Sequence, residues 1–212
     1  MLGERVLLVD PWTGPEGVAR ALDDAAARLD ADLIALVDVG GDVLAQGHEP
    51  GLGSPLADSL LLAAAAFLRT PAVGAIWGAA CDGELTLDEV LGRIAGLAAA
   101  GALIGAWGTP PELLPRLEEA IAAVPTEASA MAVACARGGH GTAHIRGGAR
   151  TVPLSPVGGL TFVFDAARAL EANAAPVAAL LRDAGSLEEA EGRLQAEGIR
   201  SELAYEREHY RP

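Results

Sequence analysis

The sequence predicts an α/β fold with a Rossmann-like, parallel or mostly parallel sheet flanked by helices. Short apolar runs that end in an acidic residue occur at 5–10 (RVLLVD) and at 32–38 (DLIALVD). Between them, apolar residues recur at helical spacing over 15–29, which opens with a proline. A strand, a helix and a second strand in about thirty residues are typical of a βαβ unit, whose strands are parallel.

The remaining elements follow from the same periodicities. Further strands are predicted at 72–77 and 160–165, and a small β-hairpin at 142–154. The segment 103–107 fits either a strand or a buried turn, and a strand is favoured. Further helices are predicted at 56–68, 86–100, 110–123 and from 126 to about 138, before two C-terminal helices and a polar tail. Together they predict a single domain, in which 1–165 forms the sheet-containing core and 166–212 adds the C-terminal helices and tail.

The charge balance limits the possible partners. The 212 residues include 29 Asp and Glu but 15 Lys and Arg, which gives a formal net charge of −14. So acidic a chain is unsuited to a nucleic-acid backbone or to an anionic membrane surface. All the basic side chains are arginines, so Schiff-base chemistry, a lysine general base and a P-loop lysine are excluded.

Export and membrane insertion are not predicted. The longest nearly unbroken apolar stretch, 94–107, is interrupted by glycines and is shorter than the ~18 residues of a spanning helix. The N-terminus lacks the basic start and the long apolar centre of a signal peptide. Two cysteines, Cys81 and Cys135, make no disulfide framework, so the expected location is the reducing cytoplasm.

Acidic residues follow the predicted strands, at the edge where parallel sheets bind their ligands. Asp38 and Asp42 follow the second strand, and Asp82 and Glu84 follow the third. The candidate catalytic acids and bases are Asp38, Asp42, Glu49, Asp82, Glu84 and Glu127. Asp42, Asp82 and Glu84 are also candidate ligands of a divalent cation, and such oxygen donors favour Mg²⁺ or Mn²⁺.

The loop at 39–55 (VGGDVLAQGHEPGLGSP) carries five glycines and two prolines. A structureless stretch of this length within a compact domain is usually functional. Its glycine amides and the helix start after Ser54 are expected to hold an anionic group of a small-molecule ligand. The candidate ligand-binding residues are Gly40, Gly41, Gly47, Ser54, Asp58, Thr126 and Arg146. The alternatives are a glycine-rich crossover with solvated acids, a plain N-cap at Thr126 and an exposed hairpin arginine at 146.

Cys81 has two interpretations. It precedes a predicted helix start, where a thiolate can have a lowered pKa and act as a nucleophile. The neighbouring carboxylates of Asp82 and Glu84 oppose that lowering. A buried cysteine that packs as a small apolar side chain is therefore the favoured interpretation.

Five segments, taken in order along the chain, resemble a known protein family. They are VDVGGDVLAQGHEPGLGSPLADSLLLAAA, GAACDGELTLDEVL, GALIGAWG, VPTEASAMAVACARG and IRGGARTVPLSPVGGLTFVFD. They resemble the family catalogued as domain of unknown function 1152, over the chain from about Val6 to Tyr205, most strongly at 38–58. The resemblance implies an α/β, Rossmann-like fold and names no activity. His48 stands where an acid is usual in this family, which argues against a catalytic role for it.

The resemblance also implies an extra glycine-rich strand–turn–helix segment at the start of family members, which this sequence lacks. Three arrangements remain open: the chain is a fragment, a second polypeptide supplies the segment, or this version works without it. A homodimer is also compatible with an acidic α/β chain.

The leading functional hypothesis is an enzyme of small-molecule metabolism, of hydrolase, lyase or isomerase type, with a carboxylate-lined cleft at the strand ends. A divalent cation would be compatible with that cleft. The alternatives are a non-catalytic nucleotide- or metabolite-binding subunit of a split enzyme, and an interaction or scaffold domain. Binding without turnover would favour the former, and the lack of any strand-end ligand would favour the latter.

Overall fold

A computed structural model describes residues 6–209 of the chain. Its helices are α1 (Gly14–Leu29), α2 (Pro55–Ala64), α3 (Leu87–Ala99), α4 (Leu114–Ala123), α5 (Glu127–Ala136), α6 (Ala166–Glu171), α7 (Pro176–Leu181), α8 (Leu187–Ala196) and α9 (Glu202–His209). Its strands are β1 (Ile34–Val39), β2 (Ala72–Trp77), β3 (Leu103–Gly108), β4 (Gly141–Ile145), β5 (Arg150–Leu154) and β6 (Leu160–Asp165). The predicted α/β class and the predicted hairpin, β4 with β5, are confirmed.

The main sheet has the strand order β1-β2-β6-β3 and is not mostly parallel. β1 and β2 are parallel, but β6 is antiparallel to both β2 and β3. The chain leaves the sheet after β3, forms α4, α5 and the hairpin, and returns between β2 and β3 in the opposite direction. The predicted parallel sheet was wrong in this respect, because a buried apolar run fixes neither the neighbours of a strand nor its direction.

The predicted strand at 5–10 is wrong over its described part. Residues 6–10 form no strand, and the Leu8 side chain is 97% exposed. Asp10 instead accepts a hydrogen bond from the Trp12 amide at the start of a short 3₁₀ turn. An apolar run becomes a strand only where a neighbour offers backbone partners, and the run itself does not specify one.

One core joins the sheet to the helices that surround the strand ends. Val18 of α1, Leu60 of α2, Ile76 of β2 and Leu194 of α8 are fully buried in it. Leu44, in the loop after β1, is also fully buried, so this loop is anchored in the core. Across the described residues no helix is both long and apolar enough to cross a membrane.

A cluster of buried carboxylates at the strand ends

The parallel pairing of β1 and β2 places the loops that follow them side by side. Asp38 lies opposite Ile76, and Val39 opposite Trp77, at the carboxyl ends of the two strands. Beyond the sheet, the Gly40 amide donates to the Trp77 carbonyl at 3.1 Å, and the Ala80 amide donates to the Gly40 carbonyl at 2.7 Å. These bonds extend the pairing past the strands and hold the two loops together.

Gly40 is required by this close approach. Its φ of 132° lies in the region that favours glycine, and a Cβ there would lie 2.2 Å from Cγ of Asp82. The Asp82 carboxylate therefore packs directly against the Gly40 backbone. The glycine of the first loop thus fixes the position of an acid from the second loop.

Five carboxylates meet at this point and form what we term the carboxylate cluster. Its members are Asp38, Asp42, Asp58, Asp82 and Glu84. Carboxylate oxygens of Asp38, Asp42 and Asp58 lie within 4.8 Å of one another, and so do those of Asp42, Asp82 and Glu84. Asp42 belongs to both groups, and the sequence-predicted set of metal ligands is one of them.

Burial and mutual repulsion favour the neutral acids in most of the cluster. Burial, followed by the charges of Asp58 and Asp82, raises the pKa of Asp38 to about 8. Burial and the charge of Glu84 raise the pKa of Asp82 to about 7 and that of Asp58 to about 6. The pKa of Asp42 is also raised, by burial first and then by its four acidic neighbours.

Glu84 differs because its two oxygens are held by the chain. One accepts hydrogen bonds from the amides of Gly53 and Ser54 at 2.7 and 2.9 Å. The other accepts from the Ser54 hydroxyl and pairs with the Arg150 guanidinium at 3.1 Å. Burial raises the pKa of Glu84, but these bonds outweigh burial, and the pKa is lowered overall. Glu84 is therefore a fixed anion within the cluster.

Asp82 retains an unused oxygen. The Asp82 side chain is 7% exposed, and its Oδ1 is buried without a hydrogen-bond partner among the described residues. A buried oxygen of this kind costs free energy unless a ligand or water satisfies it. All donors in the group with Asp42 and Glu84 are carboxylate oxygens, the ligands that Mg²⁺ and Mn²⁺ prefer.

Glu49 is not part of the cluster. Its carboxylate accepts the amides of Gln46, Gly47 and His48 and pairs with Arg93 at 3.0 Å. Burial raises the pKa of Glu49, but these donors outweigh burial and lower it. The exposed His48 side chain lies outside both carboxylate groups. Glu49 and the Gly47 amide thus stabilise the loop conformation. The sequence had suggested catalysis for Glu49 and ligand binding for Gly47.

The amides that the sequence suggested for anion binding are already bonded within the chain. The Gly40 amide donates to the Trp77 carbonyl, and the Gly41 amide donates to Asp38 at 2.8 Å.

At the start of α2 the amides of Leu56 and Ala57 donate to Glu202 at 3.1 and 2.7 Å. Ser54 makes no side-chain cap there and donates to Glu84 instead. Sequence reasoning missed Glu202, because nothing local links it to a helix 146 residues earlier.

Thr126, Glu127 and Arg146 share a cavity with Asp82. With Asp82, Pro125, Ala128 and Ile145 they line a cavity of about 300 Å³. Glu127 accepts a hydrogen bond from the Arg146 amide at 2.9 Å, which joins the start of α5 to the hairpin turn. The cavity thus brings two of the predicted ligand-binding residues next to the carboxylate cluster.

Cys81 packs as a core residue. Cys81 and Cys135 are free, buried cysteines in a small apolar cluster with Ala132. A hydrogen bond with Cys135, and then burial, raise the pKa of the Cys81 thiol. A thiolate nucleophile at Cys81 is disfavoured in this environment.

The fold and the cluster define an α/β protein with a buried, all-oxygen site beside the ends of two parallel strands. The family described as "Protein of unknown function (DUF1152)" matches residues 1–210, and the chain belongs to this family. The resemblance drawn from the sequence is therefore confirmed over essentially the whole chain. Comparison with curated proteins and with solved structures returned no significant match.

Proposed function

We propose that this protein is an enzyme of small-molecule metabolism whose carboxylate cluster holds a divalent cation, Mg²⁺ or Mn²⁺. The observation that carries the proposal is an imbalance of charge. Five acidic side chains converge, and the Arg150 guanidinium pairs with one of them, Glu84. Burial and mutual repulsion raise the pKa of four of these acids, so protons compensate them when no cation is bound, and a divalent cation would replace those protons.

The cation would be bound by Asp42 and Asp82, and Glu84, whose oxygens already accept four donors, would add a fixed negative charge beside it. Asp82 offers the unpartnered Oδ1, while Ser54 and Arg150 fix the orientation of Glu84. Asp38 accepts the Gly41 amide at 2.8 Å and lies in one carboxylate group with Asp42, so it would support Asp42 from within the cluster. Such supporting bonds orient ligands and adjust the affinity of a metal site.

A divalent cation in this place would polarise a substrate oxygen or lower the pKa of a bound water. Hydrolases, lyases and isomerases all use such assistance. The cytoplasm is the proposed location, and a small anionic molecule is the proposed ligand. The cation site uses only residues of this chain, so the proposal does not depend on a second polypeptide.

The test is a titration of EDTA-treated protein with Mn²⁺. Calorimetry measures the heat of binding, and electron paramagnetic resonance measures the ion that remains free. We expect D42N and D82N to weaken Mn²⁺ binding at least tenfold, or about 1.4 kcal/mol. The matched control is D88N, because Asp88 is an exposed acid on the adjacent helix and lies in neither carboxylate group. Its affinity should equal that of the wild type.

Two outcomes would count against the proposal. If the wild type binds no Mn²⁺ at about 1 mM, a concentration that detects weak sites, the cluster is not a cation site. If a ligand binds in a cation-dependent way without turnover, the non-catalytic binding subunit is favoured over the enzyme.

A further inference from the structure

We propose that the 300 Å³ cavity between Asp82 and Arg146 binds the phosphate group of a small-molecule substrate. This inference rests on the proposed function, since the cation and the cavity would share Asp82. The volume of the cavity lies at the lower end of the range for small-molecule sites. The proposal therefore concerns a compact phosphorylated metabolite and not a polymer.

The first element of the site is the start of α5, a helix of ten residues. Its N-cap, Thr126, makes no side-chain bond to a first-turn amide, and the Thr126 hydroxyl bonds the Ser129 hydroxyl at 3.4 Å. The start of α3 is different, because Thr86 and Glu89 form a complete capping box. First-turn amides that remain without a side-chain acceptor favour an anion.

A neighbouring cavity shows what this difference implies. It has a volume of about 460 Å³ and is lined by Glu84, Asp88 and Glu89 around the capped start of α3. Acids and already bonded amides make that cavity unsuited to a phosphate. The smaller cavity, in contrast, combines an uncapped helix start with the positive side chain of Arg146.

The second, independent element is Asp82. It lines the cavity, is 7% exposed, and keeps an Oδ1 without a partner within the part of the chain that is described. Asp82 also belongs to the carboxylate cluster, so a cation held there would adjoin the cavity that Asp82 lines. A phosphate oxygen can bind such a cation while others accept hydrogen bonds, an arrangement common in phosphate-handling sites.

The third element is the exposed Arg146. Its guanidinium makes no hydrogen bond or ion pair with another described residue, while its amide is held by Glu127. Glu127 opposes an anion, as does Asp82 when the cation is absent. The cation compensates Asp82, so phosphate binding here should require the metal. Arginine presents a fork of donors that fits phosphate, whose several oxygens can engage the amides and the metal at the same time.

The experiment measures binding of inorganic phosphate and pyrophosphate to Mn²⁺-loaded protein by calorimetry, with acetate as the carboxylate comparator. The test variant is R146G. Arg146 has a φ of 54°, which glycine adopts more easily, so this variant should keep the turn while losing the guanidinium. The matched control is R182A, because Arg182 is an exposed arginine that pairs with Asp183 outside the cavity.

We expect R146G to weaken phosphate or pyrophosphate binding at least tenfold while Mn²⁺ affinity is unchanged, and R182A to alter neither. Failure of Mn²⁺ to bind the wild type would overturn the proposed function and the inference with it. Normal Mn²⁺ binding with equal anion affinity in R146G and the wild type would overturn the inference alone. So would acetate binding as tightly as phosphate, or an absence of anion binding at about 10 mM, where even weak sites are occupied.

Discussion

Glu49 and Asp82 are both buried carboxylates in loops that follow the strands, yet their surroundings are opposite. Three backbone amides and Arg93 satisfy Glu49, and its pKa is lowered. Asp82 packs against Gly40, keeps an unpartnered oxygen, and has a pKa raised to about 7. Both are acids that a strand-end argument selects from the sequence, and only one of them is free to take a ligand.

The difference shows that burial of an acid does not by itself indicate a ligand site. What distinguishes the two residues is the number of donors already bound to each carboxylate. A satisfied carboxylate stabilises the fold, whereas an unsatisfied one is a cost that a cation can offset. Three predictions test this contrast between satisfied and unsatisfied polar groups, the first two at carboxylates and the third at helix starts, in order of decreasing expected effect.

The first prediction concerns E49Q. The substitution removes the charge that compensates Arg93 and weakens the bonds to three loop amides. We expect a loss of about 2–4 kcal/mol in the free energy of unfolding, which urea denaturation would measure. The matched variant D82N should lose no stability in EDTA, because it removes an uncompensated charge. A larger loss in D82N than in E49Q would show that the contrast between the two residues is wrong.

The second prediction concerns pH in the absence of a divalent cation. The folded-state pKa values of Asp38, Asp58 and Asp82, about 8, 6 and 7, lie above the ordinary Asp value of 3.8. A native state that holds protons more tightly than the unfolded chain loses stability as pH rises. The melting temperature in EDTA should therefore fall by several degrees between about pH 5 and pH 8.5.

Saturating Mn²⁺ should reduce this dependence, because the cation replaces protons as the compensating charge. Asp23 and Glu84 have lowered pKa values, so their stabilisation is lost only at more acidic pH and does not mask the effect. A melting temperature in EDTA that rises across the same interval would contradict the prediction. Scanning calorimetry at low protein concentration is the measurement.

The third prediction compares two helix starts. T86A removes a hydroxyl that accepts the Glu89 amide, so it should cost about 1 kcal/mol of unfolding free energy. T126A removes a hydroxyl that bonds no amide at the start of α5, so metal-free stability should not change measurably. Urea denaturation of both variants checks the pair. Equal losses would mean that α5 is capped as well as α3, and the anion site would lose its donors.

Local features of the sequence were sufficient to predict most elements. The strand at 72–77 agrees with β2, and the capping box of Thr86 and Glu89 opens α3 as predicted. The acids after the second and third predicted strands do meet, because β1 and β2 are parallel neighbours. Each of these features depends on residues a few positions apart or on one strand pairing.

Other predictions failed because they depended on distant partners. The residues at 6–10 have a strand-like pattern but pair with no strand among those described. Serine is a common N-cap residue, yet the Ser54 side chain does not cap α2. Glu202, near the C-terminus, accepts the first-turn amides instead. Glu49 resembles the other strand-end acids in sequence, but the fold gives it three loop amides and Arg93 as partners and places it outside the carboxylate cluster.

The sequence by itself determined the α/β class, the acidic glycine-rich loops, the absence of lysine and the family. Only the tertiary structure decided that β6 enters the sheet antiparallel, which donors each acid finds, and which helix start remains uncapped. The physical reason is the distance along the chain over which each interaction acts. Periodicity and capping act over one or two turns, whereas the satisfaction of a buried charge depends on groups that the fold brings from anywhere in the chain.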